Sequence, residues 1–236
     1  VRLLTEMRRA REIRFEWISD STRWMRRPDT YNCLEDALFA ASQTYRRSLW
    51  SSADSYIEVW LEKEALAGVL TPVTEAWDVP LLVTRGYPSL SFLYSAASAI
   101  ASQSKTAYIY YLGDRDPSGE DIPRVVEREI RAFVPDVELY FSRIAVTPEQ
   151  IKHWNLPTRP TKSTDSRSQN FVGESTEVDA IPPAQLRALV KFHIEQHLCH
   201  EELDRLERVE KLERETLERV AWSFKYPGHP IGINED

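Results

Sequence analysis

The stretch Tyr111–Ile122, YLGDRDPSGEDI, places two aspartates where an apolar run ends and a Pro-Ser-Gly turn begins. The residues before it, Ala107–Gly113 (AYIYYLG), are aliphatic and aromatic and predict a buried strand. Pro and Gly directly after Asp116 are typical of a turn that leads into a helix. We therefore predict that Asp114 and Asp116 lie at the carboxyl end of a buried strand.

The chain on both sides of this stretch repeats the same alternation of strand and helix. Strands are predicted at 55–62, 79–84, 107–113 and 137–146, and helices at 63–77, at 89–102 and from the Pro-Ser-Gly turn to about residue 133. Short strands that alternate with helices of about four turns indicate βαβ units. We therefore predict an α/β fold, a doubly wound parallel sheet of about four strands with helices on both faces.

The segments that flank the predicted sheet at 54–146 have a different character. Residues 1–53 predict two or three helices, and because the sequence opens on Val1 inside a helical pattern, we expect the end of a truncated upstream domain. Residues 147–183 contain a polar stretch that predicts a loop or excursion. Residues 184–236 predict C-terminal helices, so helical segments are expected at both ends of the sheet domain.

Composition excludes several classes of protein. Hydrophobic residues make up 42% of the 236, enough to bury a core, and no apolar run approaches the roughly 20 residues that span a bilayer. The two cysteines, Cys33 and Cys199, suggest no disulfide framework, so a cytoplasmic location is expected. The net charge of −7 excludes a protein that coats nucleic acid by charge alone, so any contact with DNA must be local.

Net negative charge is concentrated around the opening stretch, since residues 51–150 hold 15 acidic residues and only 8 basic ones. Glu62 ends the first predicted strand, and Asp114 and Asp116 follow the third. Neighbouring parallel strands end side by side, so these three carboxylates are expected to converge in one crevice. Converging carboxylates repel one another unless a cation lies between them. Oxygen ligands favour Mg²⁺, or Mn²⁺, with a phosphate-bearing substrate.

Three motifs at the predicted strand ends resemble the Toprim fold, most closely the version in the A subunit of topoisomerase VI and its meiotic double-strand-break relatives. They are WLEKEAL (60–66), LLVTRGYPSL (81–90) and GDRDPSGEDI (113–122). The resemblance covers about residues 54–146. It implies Mg²⁺-dependent cleavage of DNA strands, with a homodimer and an ATPase partner subunit as possible assemblies.

The resemblance also implies a role for each acidic residue. Asp114 and Asp116 would be metal ligands, and Glu62 would be a ligand or a general acid or base in phosphoryl transfer. Asp121 matches a further acidic position of the motif, where it would support the metal. Because Pro123 follows it, Asp121 is also expected as a helix N-cap, and the two readings stay open.

Basic residues around the crevice are expected to contact the DNA backbone. They are Lys63, Arg85, Arg159, Lys162 and Arg167. Lys63 directly follows Glu62, so it is also expected at the catalytic centre. Gly86 would let a phosphate approach the chain closely. The last three basic residues belong to the hydroxyl-rich stretch 158–169, which reads equally well as a disordered loop.

The chemical outcome stays open between several alternatives. Topoisomerase-type cleavage needs a tyrosine from an upstream winged-helix domain, which is not complete here; without it, the same metal site would activate water, as in a nuclease. The main alternative is a non-catalytic DNA-binding or assembly module that retains the Toprim fold. A phosphotransfer or receiver-like protein ranks last, because those families place the key Asp where this chain has Glu62-Lys63.

A second candidate metal site lies near the C-terminus. His193 and His197 are four residues apart and so share one face of a helix, with Cys199 and His200 close behind. Histidines at this spacing can bind zinc. A fourth ligand is not obvious, and histidines at the surface near a helix end are commoner than zinc ligands.

Overall fold

Four parallel strands form one sheet in the computed structural model, which describes residues 2–14, 28–160 and 174–225. The strands are β1 (Ser55–Leu61), β2 (Leu81–Val83), β3 (Thr106–Leu112) and β4 (Leu139–Ala145). Their order in the sheet is β2-β1-β3-β4, and each neighbouring pair is parallel. The predicted α/β fold with a four-stranded parallel sheet is therefore confirmed.

Helices cover both faces of this sheet. They are α3 (Ala67–Ala76) and α7 (Pro183–Glu195) on one face, and α4 (Leu90–Gln103) and α5 (Pro117–Phe133) on the other. Side chains alternate between the faces along each strand. Both faces of the central strands are therefore buried, which explains their nearly continuous apolar sequences.

The alternation is clearest in β1, at the centre of the sheet. Leu61 packs with α3 and α7, whereas the neighbouring Trp60 packs with α4 and α5. Both side chains are fully buried. Such two-sided burial contributes about 25 cal/mol for each Å² of apolar surface removed from water, which makes this strand the centre of the core.

The order of the strands fixes where a ligand would bind. The chain leaves β1 toward β2 on one side of the sheet, then crosses back to β3 and continues to β4 on the other side. The winding direction therefore reverses between β1 and β3. In open α/β sheets, ligands bind in the crevice beyond the carboxyl ends of the strands at such a reversal. Glu62 and Asp114 follow these two strands.

The remaining described helices lie before and after the sheet. They are α1 (Arg2–Arg9), α2 (Leu34–Thr44), α6 (Pro148–His153) and α8 (His200–Lys225). Helix α6 lies within the segment predicted as a loop, where Thr147 and Gln150 form a reciprocal capping box. No helix in the described parts of the chain is both long and apolar enough to cross a membrane.

The chain divides into two compact units. One comprises Val1–Tyr45 and Glu213–Asp236, and the other comprises Arg46–Leu212. The second unit contains the whole sheet and every predicted site residue that the structure describes. The domain limits suggested by the sequence, at residues 53, 146 and 183, stay predictions.

Candidate functional site

The carboxylate of Glu62 is turned toward the loop that follows β3. Its Oε2 accepts a hydrogen bond of 3.2 Å from the backbone N–H of Asp114 and another of 3.2 Å from the hydroxyl of Tyr111. Burial raises the pKa of Glu62, and the nearby negative charges of Asp114 and Asp116 raise it further. Glu62, after β1, and the two aspartates, after β3, are therefore close enough for their charges to interact.

Two glycines let the chain close around these carboxylates. A methyl group at Gly113 would collide with Glu62 Oε2 and with the ring of Tyr111. A methyl group at Gly119 would collide with the backbone carbonyl of Asp114. Both positions therefore require glycine because of close approach.

The two aspartates each give one carboxylate oxygen to a backbone amide. Asp116 is the N-cap of α5, and its Oδ1 accepts a hydrogen bond of 2.6 Å from Gly119 N–H. Asp114 Oδ1 accepts a hydrogen bond of 2.8 Å from Val178 N–H. These bonds fix the orientation of both side chains at the end of β3.

Arg143, in the edge strand β4, donates hydrogen bonds to the backbone around Asp114 and Asp116; we call residues 113–116 the acidic loop. Its guanidinium donates to the backbone carbonyls of Gly113 (3.2 Å), Gly119 (3.1 Å) and Asp114. The side chain is only 15% exposed, and this burial lowers the pKa of Arg143. The guanidinium thus joins the loop after β3 to the first turn of α5, on either side of Asp116.

One further segment, Ser175–Ile181, borders the acidic loop, and we call it the strap. Its Thr176 exchanges two backbone hydrogen bonds with Arg115 (2.8 and 2.9 Å), and its Ser175 exchanges two with Arg159 (2.8 Å each). Val178 and Ile181 are buried in the core between the sheet and α7. The strap therefore belongs to the folded domain, although the sequence predicted an excursion here.

The predicted DNA-contacting residues fall into different surroundings. Lys63 Nζ lies 2.8 Å from both Glu177 Oε2 and Asp179 Oδ2 of the strap. Arg159 pairs with the same Glu177, whereas Arg85 pairs with Glu64.

Two more of these residues lie outside the described part of the chain, and one is a turn glycine. Lys162 and Arg167 fall in the gap between residues 160 and 174. Gly86 follows β2 with φ of +86°, a backbone conformation that favours glycine, and its neighbour Arg85 also has a positive φ of 53°. The need for glycine at position 86 is therefore conformational.

Asp121 does not cap α5, which corrects one of the two readings of this residue. The helix begins at Pro117 with Asp116 as its cap, so Asp121 already lies inside the helix. Its carboxylate accepts a hydrogen bond of 2.7 Å from Tyr87 and is paired with Arg124. The other reading, in which Asp121 supports a metal, stays a prediction.

The histidines of the second candidate site turn toward the sheet. His197 Nε2 lies 2.6 Å from the hydroxyl of Tyr110, and the ring of His193 packs at 4.9 Å from the ring of Tyr110. Burial lowers the pKa of both histidines. Cys199 is an exposed free thiol, and the side chain of His200 lies outside the described residues.

The fit of a divalent ion to the acidic crevice can be judged from its side chains. Within the described ranges, no three or more His, Cys, Asp or Glu side chains are grouped so as to hold a metal ion together. Mg²⁺, however, typically takes only one or two protein carboxylates and completes its shell with water and phosphate. Glu62 and Asp114 offer two carboxylates of this kind, because Glu62 Oε2 lies 3.2 Å from the backbone nitrogen of Asp114. The pKa of Glu62 is raised by burial and, in addition, by the charge of Asp114.

Two buried polar atoms lie beside the same loop. Thr176 Oγ1 and Arg143 Nε have no hydrogen-bond partner among the described residues. Arg143 Nε–H is a cationic donor, so it can bind a water or an anionic oxygen such as that of a phosphate but not a metal ion, and Thr176 Oγ1 can bind a water. If an ion and its water shell are held in this crevice, we expect Glu62 and Asp114 to be the ligands and Asp116 to lie beside them.

Comparison with known proteins adds no identification. No model of a known protein family matches the chain, and no curated protein matches it significantly. The resemblance to the Toprim group therefore depends on the three short motifs and on their position at the strand ends.

Three residues beside the site were not predicted from the sequence: Arg143, Glu177 and Asp179. Arg143 had a visible signal, since it is the only charged residue in β4. Glu177 and Asp179 had no such signal, because they lie in a polar segment more than 110 residues from Lys63 in sequence. Only the pairing of the strap with the loop after β3 brings them to the site.

Proposed function

We propose that this chain is a Mg²⁺-dependent enzyme that cleaves DNA strands, acting on phosphodiester bonds at the crevice between Glu62 and Asp114. One observation carries the proposal. The half-buried Glu62 directly follows the central strand β1, at the point where the winding of the sheet reverses, and its carboxylate contacts the loop after β3 that carries Asp114 and Asp116. Acids with perturbed pKa values in a crevice are candidates for functional sites. The resemblance of the three motifs to Toprim enzymes supports the same chemistry.

The residues of the crevice have distinct roles in this proposal. A divalent ion, when bound, would stabilise charge on the attacking and leaving oxygens of a phosphodiester. Glu62, whose pKa is raised by burial and by the neighbouring negative charges, is suited to take up a proton from an attacking hydroxyl or water. Asp114 and Asp116 hold their carboxylates toward the crevice through the Val178 and Gly119 amides. Arg143 fixes the loop that carries both aspartates.

A plasmid assay tests this function. Supercoiled plasmid is incubated with Mg²⁺ or Mn²⁺ and either wild type, Glu62→Gln or Asp116→Asn, with Glu127→Gln as the matched acidic control on α5. We expect nicked or linear product from wild type and from Glu127→Gln, and a loss of at least about 100-fold in both site variants. Equal cleavage by wild type and Glu62→Gln, or no cleavage at any metal concentration, would contradict the proposal.

A second candidate function is a DNA-binding or assembly module without catalysis. It is favoured by the engagement of the site's own polar groups, since Asp114 and Asp116 accept amide hydrogen bonds and Lys63 is paired with two carboxylates. Metal-independent binding of DNA without nicking in the plasmid assay would favour this candidate.

The setting of the protein is also proposed. Cys33 and Cys199 are both exposed free thiols, which supports a reducing, cytoplasmic compartment. A homodimer and an ATPase partner subunit are proposed from the resemblance alone.

A further inference from the structure

Two basic side chains beside the acidic crevice are neutralised by the strap. Lys63 Nζ lies 2.8 Å from Glu177 Oε2 and 2.8 Å from Asp179 Oδ2. The guanidinium of Arg159 contacts the other oxygen of Glu177. Lys63 directly follows Glu62, so this ion-pair cluster adjoins the proposed reaction site.

The strap is anchored by buried residues and backbone hydrogen bonds, whereas its two acidic side chains are partly exposed to solvent. Thr176 and Val178 are buried, and the amide of Val178 binds Asp114. The alternate residues Glu177 and Asp179 point outward, with 38% and 43% of their side chains exposed. Ion pairs with this exposure to solvent are weak, so another anion can exchange with the carboxylates without movement of the backbone.

The charge of the cluster matters for a polyanionic substrate. Lys63 and Arg159 are paired with the two strap acids, and the carboxylates of Glu62, Asp114 and Asp116 lie in the adjoining crevice. A DNA strand that enters this crevice is repelled as long as Lys63 and Arg159 are neutralised. Carboxylate and phosphate oxygens make the same charge-assisted hydrogen bonds with Lys and Arg, so a phosphate can take the place of either carboxylate.

We propose that Glu177 and Asp179 are internal stand-ins for backbone phosphates, which hold Lys63 and Arg159 in the free protein and are displaced by the phosphates of an entering nucleic-acid strand. The inference rests on the proposed function, because it takes the substrate of the crevice to be a nucleic acid. It adds a regulatory role for the strap: DNA gains access to Lys63 and Arg159 only by competing with these two acids.

The test is the affinity for DNA of the isosteric double variant Glu177→Gln/Asp179→Asn. Binding of a fluorescent duplex is followed by anisotropy in EDTA, where no divalent ion contributes to binding or cleavage. We expect tighter binding than wild type at 50 mM NaCl and a steeper salt dependence, by about 0.9 for each of the two released cations. The advantage of the variant should then shrink roughly tenfold between 50 and 200 mM NaCl.

The matched control is Glu127→Gln/Glu129→Gln on α5. It removes the same charge and also frees two arginines from carboxylates, Arg131 and Arg128. Adding Lys63→Gln to the strap variant should abolish about half of the gain in salt dependence. The inference is overturned if the strap variant binds no better than this control, including no measurable binding. It is also overturned if the whole gain in salt dependence survives the loss of Lys63.

A second measurement uses the wild-type protein, so it does not depend on the folding of a variant. On addition of the duplex, the amide resonances of residues 177–179 should shift, and unchanged resonances at saturating DNA would overturn the inference. Neither measurement involves cleavage. If binding responds as expected but no plasmid is nicked, the cleavage proposal fails and this inference stands. If Glu62→Gln abolishes nicking while the strap variant binds like wild type, the reverse holds.

Discussion

The backbone N–H of Asp114 donates to the carboxylate of Glu62, so the second residue after β3 is tied directly to the first residue after β1. This bond joins the two central strands at the point where the winding of the sheet reverses. It also explains why Gly113, which separates β3 from Asp114, must be small. The position of the acidic loop is therefore set by Glu62 as much as by β3.

Replacing Gly113 with Ala should push the acidic loop away from Glu62. The added methyl group collides with Glu62 Oε2 and the Tyr111 ring, so we expect a loss of about 1–3 kcal/mol in the free energy of unfolding, measured by urea denaturation. Gly68→Ala is the control, because nothing lies within 4 Å of its added methyl group in α3. Equal stabilities of the two variants would show that Gly113 is not constrained by Glu62.

Asp116 should have separable roles in capping and in metal binding. Asp116→Ala removes the N-cap of α5 and should lower the free energy of unfolding by about 0.5–2 kcal/mol, whereas Asp116→Asn keeps a capping oxygen and should cost little. Both variants should lose cleavage if the charge is needed at the metal. A thermal melt of each variant, with and without Mg²⁺, makes the comparison; an Asn variant as unstable as the Ala variant would contradict the capping role.

Arg143 should be essential for the stability of the acidic loop. Arg143→Met removes the donor to the backbone carbonyls of Gly113, Asp114 and Gly119. We therefore expect the free energy of unfolding, measured by urea denaturation, to fall by about 1–3 kcal/mol. Arg131→Gln, which breaks a helical ion pair on α5, should change stability by less than about 0.5 kcal/mol. The expectation is wrong if both variants unfold at the same urea concentration.

Glu58 provides a prediction about pH. It is 1% exposed in the middle of β1, with Tyr56 and Trp60 as hydrogen-bond donors, and burial raises its pKa. A raised pKa in the folded state means that ionisation destabilises the fold as pH rises above the unfolded value near 4.5. Glu58→Gln should therefore melt at a higher temperature than wild type at pH 8, with a difference that disappears near pH 4. A pH-independent difference would contradict this.

Glu62 should behave in the same way until a divalent ion is added. Its pKa is also raised, so Glu62→Gln should gain melting temperature relative to wild type as pH rises in EDTA. Mg²⁺ should then stabilise wild type and the Glu58→Gln variant but not Glu62→Gln, because only Glu62 lies in the crevice. Stabilisation of all three proteins by Mg²⁺ would show that the ion binds elsewhere.

The sheet could be predicted because local patterns determine it. Apolar runs bounded by Gly, Pro and Asp predicted all four strands, and each observed strand lies within about two residues of its predicted range. The two edge strands are each three residues shorter than predicted, because each pairs with only one neighbour. Strand β2 shortens from 79–84 to Leu81–Val83, where Pro80 has no N–H for the ladder, and β4 shortens from 137–146 to Leu139–Ala145.

The site was only partly predictable. Glu62 and Asp114 could be brought together from sequence, because parallel strands end on one edge. The strap could not, since Arg115 and Thr176 are 61 positions apart and their pairing is decided by tertiary packing. The capping reading of Asp121 was wrong for a local reason: with Pro117 at the first helical position, α5 starts five residues earlier than a helix capped by Asp121 would.

The bond between Asp114 and the amide of Val178 joins residues 64 positions apart. Forming it requires the closure of a long loop, whose entropic cost must be met before the contact stabilises anything. An isolated fragment ending at residue 146 would contain all three strand-end motifs yet lack this tether and the α7 layer of the core. Independent folding should accordingly require the whole of Arg46–Leu212, a unit about twice as long as the motifs themselves imply.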